Sequence, residues 1–144
     1  MYRRILFPTD GGVTTERALE HAVDLADRYD ADLHVISVVD ASVVTGDTEV
    51  ATLVDEFELT GERTLEDVAG RARAAGLESV RTKLVRGIPH RAILEYADTQ
   101  DIDLIVMGTH GRTGLDRYLL GSVAGRVVRL SDVPVLTVRR EQPA

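Results

Sequence analysis

Short apolar runs rich in β-branched residues alternate along this chain with apolar stripes at three- and four-residue spacing, and that alternation leaves few folds open. Arg3–Phe7 is the first run and Pro8 closes it. Leu33–Val39, Val80–Val85, Leu104–Met107 and Val133–Val138 follow. Between them Ala18, Leu19, Ala22, Val23, Ala26 and Tyr29 trace one helical stripe. Phe57, Leu59, Leu65, Val68, Ala69, Ala72 and Ala75 trace a second, which Gly76 ends. Ile93, Leu94 and Ala97 form a third behind Pro89, a residue suited to a helix's first turn, and Val123, Val127, Val128 and Leu130 form a fourth. From Ala41 to about Leu53 the pattern lapses around Gly46-Asp47, which predicts a loop. Strictly alternating strands and helices predict an α/β fold, with right-handed crossovers and helices on both faces of a parallel sheet. The 144 residues suit a single domain over 1–144.

Composition narrows the function. Aspartate and glutamate number 24 against 17 arginines and lysines, for a formal charge of −7, which disfavours non-specific nucleic-acid binding. The absence of cysteine removes disulfides and thiolate metal sites. No apolar run approaches the length of a membrane span, and Met1-Tyr2-Arg3-Arg4 leads into a strand pattern instead of a signal peptide, so the cytoplasm is the expected location.

The chemistry concentrates after the fourth strand. Met107-Gly108-Thr109-His110-Gly111-Arg112-Thr113-Gly114 follows an apolar run, and Gly121-Ser122-Val123 opens the fourth helical stripe. A glycine-rich connection between a buried strand and a helix N-terminus lets backbone N–H groups converge on an anion, which predicts a phosphate site and hence a nucleotide. Known phosphate motifs do not fit. The one lysine, Lys83, lies outside any Gly-Lys-Ser/Thr context, so this is no P-loop. The first strand–helix turn, Pro8-Thr9-Asp10-Gly11-Gly12, lacks the G-x-G-x-x-G of dinucleotide enzymes. A phosphoreceiver domain needs an acidic cluster and a lysine at the last strand, and Val133–Val138 supplies none. Ser122 also reads as a helix N-cap, a role compatible with phosphate binding at the same helix end. Asp10 and Thr14 or Thr15 read as caps of the first helix, and His21, His34, His90 and His110 show no metal-ligand spacing.

In order along the chain, Ile-Leu-Phe-Pro-Thr-Asp, Gly87-Ile88-Pro89, Met-Gly-Thr-His-Gly-Arg, Leu-Gly-Ser-Val-Ala and Pro-Val-Leu-Thr-Val-Arg resemble the universal stress protein family over essentially its whole length. The resemblance implies an open, twisted five-stranded parallel sheet of order 3-2-1-4-5 and, commonly, a homodimer. The spacing Gly108-x2-Gly111-x9-Gly121-Ser122 resembles the family's ATP-binding branch. That implies ATP in the crevice where the strand order reverses. Adenine would pair with the backbone at Val38, with Pro8, Thr9 and Asp10 near the ribose and Met107 and Gly108 on the opposite wall. Gly111, Gly121, Ser122 and Val123 would present N–H groups to the phosphates, with Arg112 beside them. Asp10 would hold a Mg²⁺ or Mn²⁺ bridging the phosphates. The implied role is a dimeric, nucleotide-dependent regulatory module with an unidentified protein partner. A slow ATPase, an autophosphorylating protein and a ligand-free interaction module are the alternatives; no base or arginine finger stands out for hydrolysis. Two departures stand against the pattern: Gly11-Gly12 replaces the commoner serine at the first helix, and Gly125 lies inside the last one. The apolar last strand, Val133–Val138, would expose an edge in a monomer, and pairing with a second copy would cover it.

Overall fold

Parallel strands buried on both faces need aliphatic side chains on both sides of the pleat, and the central strands here have them. The computed structural model describes residues 1–10, 16–40, 48–109 and 120–139. Its strands are β1 (Arg4–Pro8), β2 (Asp32–Val39), β3 (Val80–Arg86), β4 (Leu104–Thr109) and β5 (Val135–Arg139); its helices are α1 (Glu16–Tyr29), α2 (Thr48–Ala74), α3 (Pro89–Thr99) and α4 (Leu120–Leu130). All pairings are parallel and the order is β3-β2-β1-β4-β5, as expected. Pro8 remains in β1 and pairs in register with Ile36.

The pleat divides the core in two. Ile5 and Phe7 of β1, Leu33 and Val35 of β2, and Leu104 and Val106 of β4 pack beneath α1 and α2. Leu6, Ile36, Ile105 and Met107 point the other way, against Ile93 and Ala97 of α3 and Ala124 and Val127 of α4. The Asp103 carboxylate accepts the Arg3 and Arg4 N–H groups at 2.8 and 3.0 Å, pinning the start of β1 to β4. Gly76, at φ +106°, ends α2 as expected: its N–H donates to Arg73 O, and the Leu77 N–H donates to Ala72 O, the paired bonds of a Schellman motif.

Several boundaries and stripes differ from the sequence expectation. Helix α2 begins at Thr48, inside the stretch expected to be loop. Phe57 and Leu59, read as part of its apolar stripe, are 51% and 49% exposed, because the buried face starts only near Gly61 and Leu65. In α4, Val128 and Leu130 are exposed. Strand β5 starts at Val135, not Val133: the Ser131 hydroxyl accepts the Val133 N–H and donates to Val133 O, holding that residue in a turn. The expected caps Thr14 and Thr15 lie outside the described residues.

One buried polar pair links the sheet to α3. His34, 2% exposed on β2, places Nδ1 2.7 Å from the Tyr96 hydroxyl, while Nε2 has no hydrogen-bond partner. Burial pushes the imidazole pKa below its usual value, the Arg81 and Arg4 guanidinium groups push it further, and Asp32 opposes them. The unfolded chain therefore takes up a proton at His34 before the folded one does. The neutral form's stability is fully present above pH ~6.5, the unfolded value, and is lost as pH falls from there through the depressed folded value. Thermal melts between pH 7.5 and 5 should show a steeper acid loss for the native chain than for His34→Gln; parallel curves would refute this. A second expectation concerns the lower core. Ile36→Ala, at a position with no exposed surface, should cost about 2–5 kcal/mol in urea unfolding.

Candidate functional site

The strand order reverses between β1 and β4, and their carboxyl ends frame the crevice where ligands bind in open α/β sheets. The floor on one side is Pro8-Thr9-Asp10. Thr9 is 4% exposed, and its N–H donates to Ile36 O at 2.9 Å, so the chain leaving β1 stays tied to β2. Pro8 is the last β1 residue in register with β2. In a strand, successive residues turn their N–H and C=O to opposite sides. Val39 O accepts the Gly87 N–H on the β3 side. The Val38 N–H and C=O consequently face the β1 side, one step beyond the Thr9–Ile36 bond. A donor and an acceptor at one backbone position match the edge of a purine base.

On the other wall, Gly108 and Thr109 remain in β4, paired with Val138 and Arg139. The connection therefore leaves the sheet two residues later than a turn at Gly108 would. Met107 is wholly buried in the core beneath α3 and α4, so only its backbone reaches this edge. Gly121 and Ser122 are the second and third residues of α4. Ser122 is thus inside the first turn and not the N-cap, and its side chain is exposed. The first four N–H groups of a helix have no acceptor within the helix, and those of Gly121, Ser122 and Val123 fall in this turn, where the helix dipole also favours an anion. Val123 is half-buried and rests on the core shared with α3. Gly111 and Arg112 lie outside the described residues.

A cavity of about 320 Å³ opens at the carboxyl end of β2. Asp10, Val38 and Asp40 form its sheet side; Phe57, Thr60 and Thr64 form its α2 side. Asp40 and the α2 residues escaped the sequence reading. Phe57 fitted a core stripe there, and threonines on a helix carry no distinguishing signal. A larger cavity of about 490 Å³ lies between α1 and α2, rimmed by Glu16, Glu20, Asp24 and Asp27 with Arg71 as its cation. Its four carboxylates repel phosphate, and it lies away from the carboxyl ends of β1 and β4, whereas the smaller cavity lies at the carboxyl end of β2 beside them. Among the described residues no group of three or more histidines, aspartates or glutamates could hold a metal. No helix among them is long and apolar enough to cross a membrane.

Comparison with known proteins agrees with this architecture. The universal stress protein family profile matches residues 1–139. Universal stress protein MJ0531 of Methanocaldococcus jannaschii is 38% identical over 143 residues, covering 97% of this chain and 84% of that protein. The solved structure of MJ0577 from the same organism superposes with a TM-score of 0.79 at 33% identity, over 99% of both chains. A universal stress protein crystallised in complex with cAMP superposes with a TM-score of 0.74 at 30% identity, over 97% of this chain and 99% of that one. The crevice between β1 and β4, Gly121-Ser122 in the first turn of α4 and the profile match over residues 1–139 therefore have one source: this chain belongs to the universal stress protein family.

Proposed function

We propose that this chain binds ATP at the carboxyl edge of β1, β2 and β4 and acts as a nucleotide-dependent regulatory module in the stress response. The observation that carries the reading is the placement of Gly121-Ser122 in the first turn of α4, at the end of the Gly108-x2-Gly111-x9-Gly121-Ser122 spacing. The cAMP complex of the relative at 30% identity supports an adenine nucleotide as the ligand class. The Val38 backbone takes the base edge, Pro8, Thr9 and Asp10 the ribose side, and the first-turn N–H groups of α4 the phosphates, with Gly111 and Arg112 completing that end. Mg²⁺ or Mn²⁺ held at Asp10 neutralises phosphate charge. The same reading places the chain in the cytoplasm, as a homodimer paired through Val133–Val138, passing its nucleotide state to a protein partner. Strand β5 is an edge of the sheet, and Val133, Val135 and Leu136 are only half-buried, which leaves apolar surface for a second copy.

Isothermal titration of Mg-ATP should give a dissociation constant near micromolar, about −8 kcal/mol. Gly121→Val should weaken it at least tenfold, because a branched side chain at the start of α4 crowds the approach of phosphate to the backbone. A native chain that takes up neither ATP, AMP nor cAMP would overturn the reading. For the assembly, light scattering at micromolar concentration should give twice the monomer mass, and Val135→Lys should halve it. A monomeric native chain would remove the β5 interface.

A further inference from the structure

We infer that the upper part of α2 is the specificity wall of the nucleotide site, with Phe57 stacking on the base. The inference rests on the adenine-nucleotide reading above and extends it to residues that the glycine pattern does not include.

One helix face carries the argument. Phe57, Thr60, Gly61 and Thr64 follow i, i+3, i+4, i+7 spacing and so share a face of α2. Leu65, Val68, Ala69 and Ala72 continue the stripe downward and are buried against the sheet. The stripe changes character from aliphatic to aromatic and hydroxyl-bearing within one turn. The change coincides with the end of the sheet. A Cβ at Gly61 would stand 2.7 Å from Leu84 Cδ1 and 3.2 Å from Ser37 Oγ, so α2 makes its close approach there. A helix rises roughly 1.5 Å per residue, which puts Phe57 about 6 Å above that contact. A strand rises roughly 3.3 Å per residue, so β2 runs out at Val39, about 6.6 Å above Ser37. Phe57 therefore stands level with the last residue of β2, and the helix continues beyond it as an overhang. An ion pair between Arg86 at the end of β3 and Glu58 fastens the overhang at this height.

The residues on this face line the same cavity as Asp10 and Val38. Phe57 is 51% exposed and lines this cavity, which puts a large aromatic ring within reach of a flat ligand there. A purine whose edge meets the Val38 backbone lies over the end of β2, which brings its plane toward Phe57. Thr60 and Thr64 offer hydroxyls that both donate and accept, suited to the base's remaining polar atoms or to a ribose hydroxyl. The wall reads the base and contributes nothing to the phosphates, which lie toward α4 on the other side of the sheet.

The test separates the two ends of the ligand. Affinities for Mg-ATP and for inorganic tripolyphosphate are measured on the native chain, Phe57→Ala and Phe57→Trp, with circular dichroism confirming the fold of each. Phe57→Ala should lose about tenfold in ATP affinity, in line with base–aromatic stacking, while tripolyphosphate affinity stays unchanged. Phe57→Trp should retain or improve ATP binding. Equal ATP affinity in the native chain and Phe57→Ala would overturn the inference and leave the phosphate site standing. Equal losses for ATP and tripolyphosphate would also overturn it, since the ring would then act through the fold. A native chain that binds no adenine nucleotide would overturn the underlying reading and the wall with it.

Discussion

Parallel pairing of β1 with β2 on one side and β4 on the other is the constraint from which the rest follows. It forces every residue of β1 to choose a face, so Ile5 and Phe7 join the α1/α2 core while Leu6 joins the α3/α4 core. It requires crossovers to leave β1 and β4 in opposite directions, which opens a crevice between their carboxyl ends. It also ends the β1 ladder at Pro8, opposite Ile36, while β2 runs three residues further to Val39, so the Val38 backbone lies beyond the last paired residue of β1. The crevice opens where the central ladder ends.

Charge divides the surface accordingly. The α1 face presents Glu16, Glu20, Asp24 and Asp27 around its cavity, an environment hostile to phosphate. The crevice side instead holds the first turn of α4, whose backbone N–H groups carry a partial positive charge without any ionised side chain. The overall charge of −7 is carried by side chains and leaves in place the partial positive charge that peptide dipoles put at the start of α4.

Much of this was legible in the sequence, and the exceptions have physical causes. Buried strands declare themselves because both faces must be aliphatic, as Leu104 to Met107 show. The sheet order came through the resemblance, whereas the phosphate site was expected from the glycine-rich connection itself, because glycine spacing is a backbone requirement. Boundaries were missed where local hydrogen bonds override apolarity. Val133 belongs to a serine-stabilised turn despite its strand-like neighbours. Ser122 looked like a cap because its residue type fits, but Leu120 already lies in the helix. The overhang of α2 was illegible for a different reason. Periodicity reports only contact with a core, and a helix that projects past its sheet has none there, so Phe57 was counted with residues it does not join.

Gly61 has a consequence for how such a crevice is dimensioned. Its lack of a side chain sets the separation of α2 from β2 and β3, and the rigid rod above it carries that separation upward past the strand ends. The gauge of the opening is set at a residue that offers a visitor no functional group, so a change there would resize the aperture by shifting the whole helix wall above it.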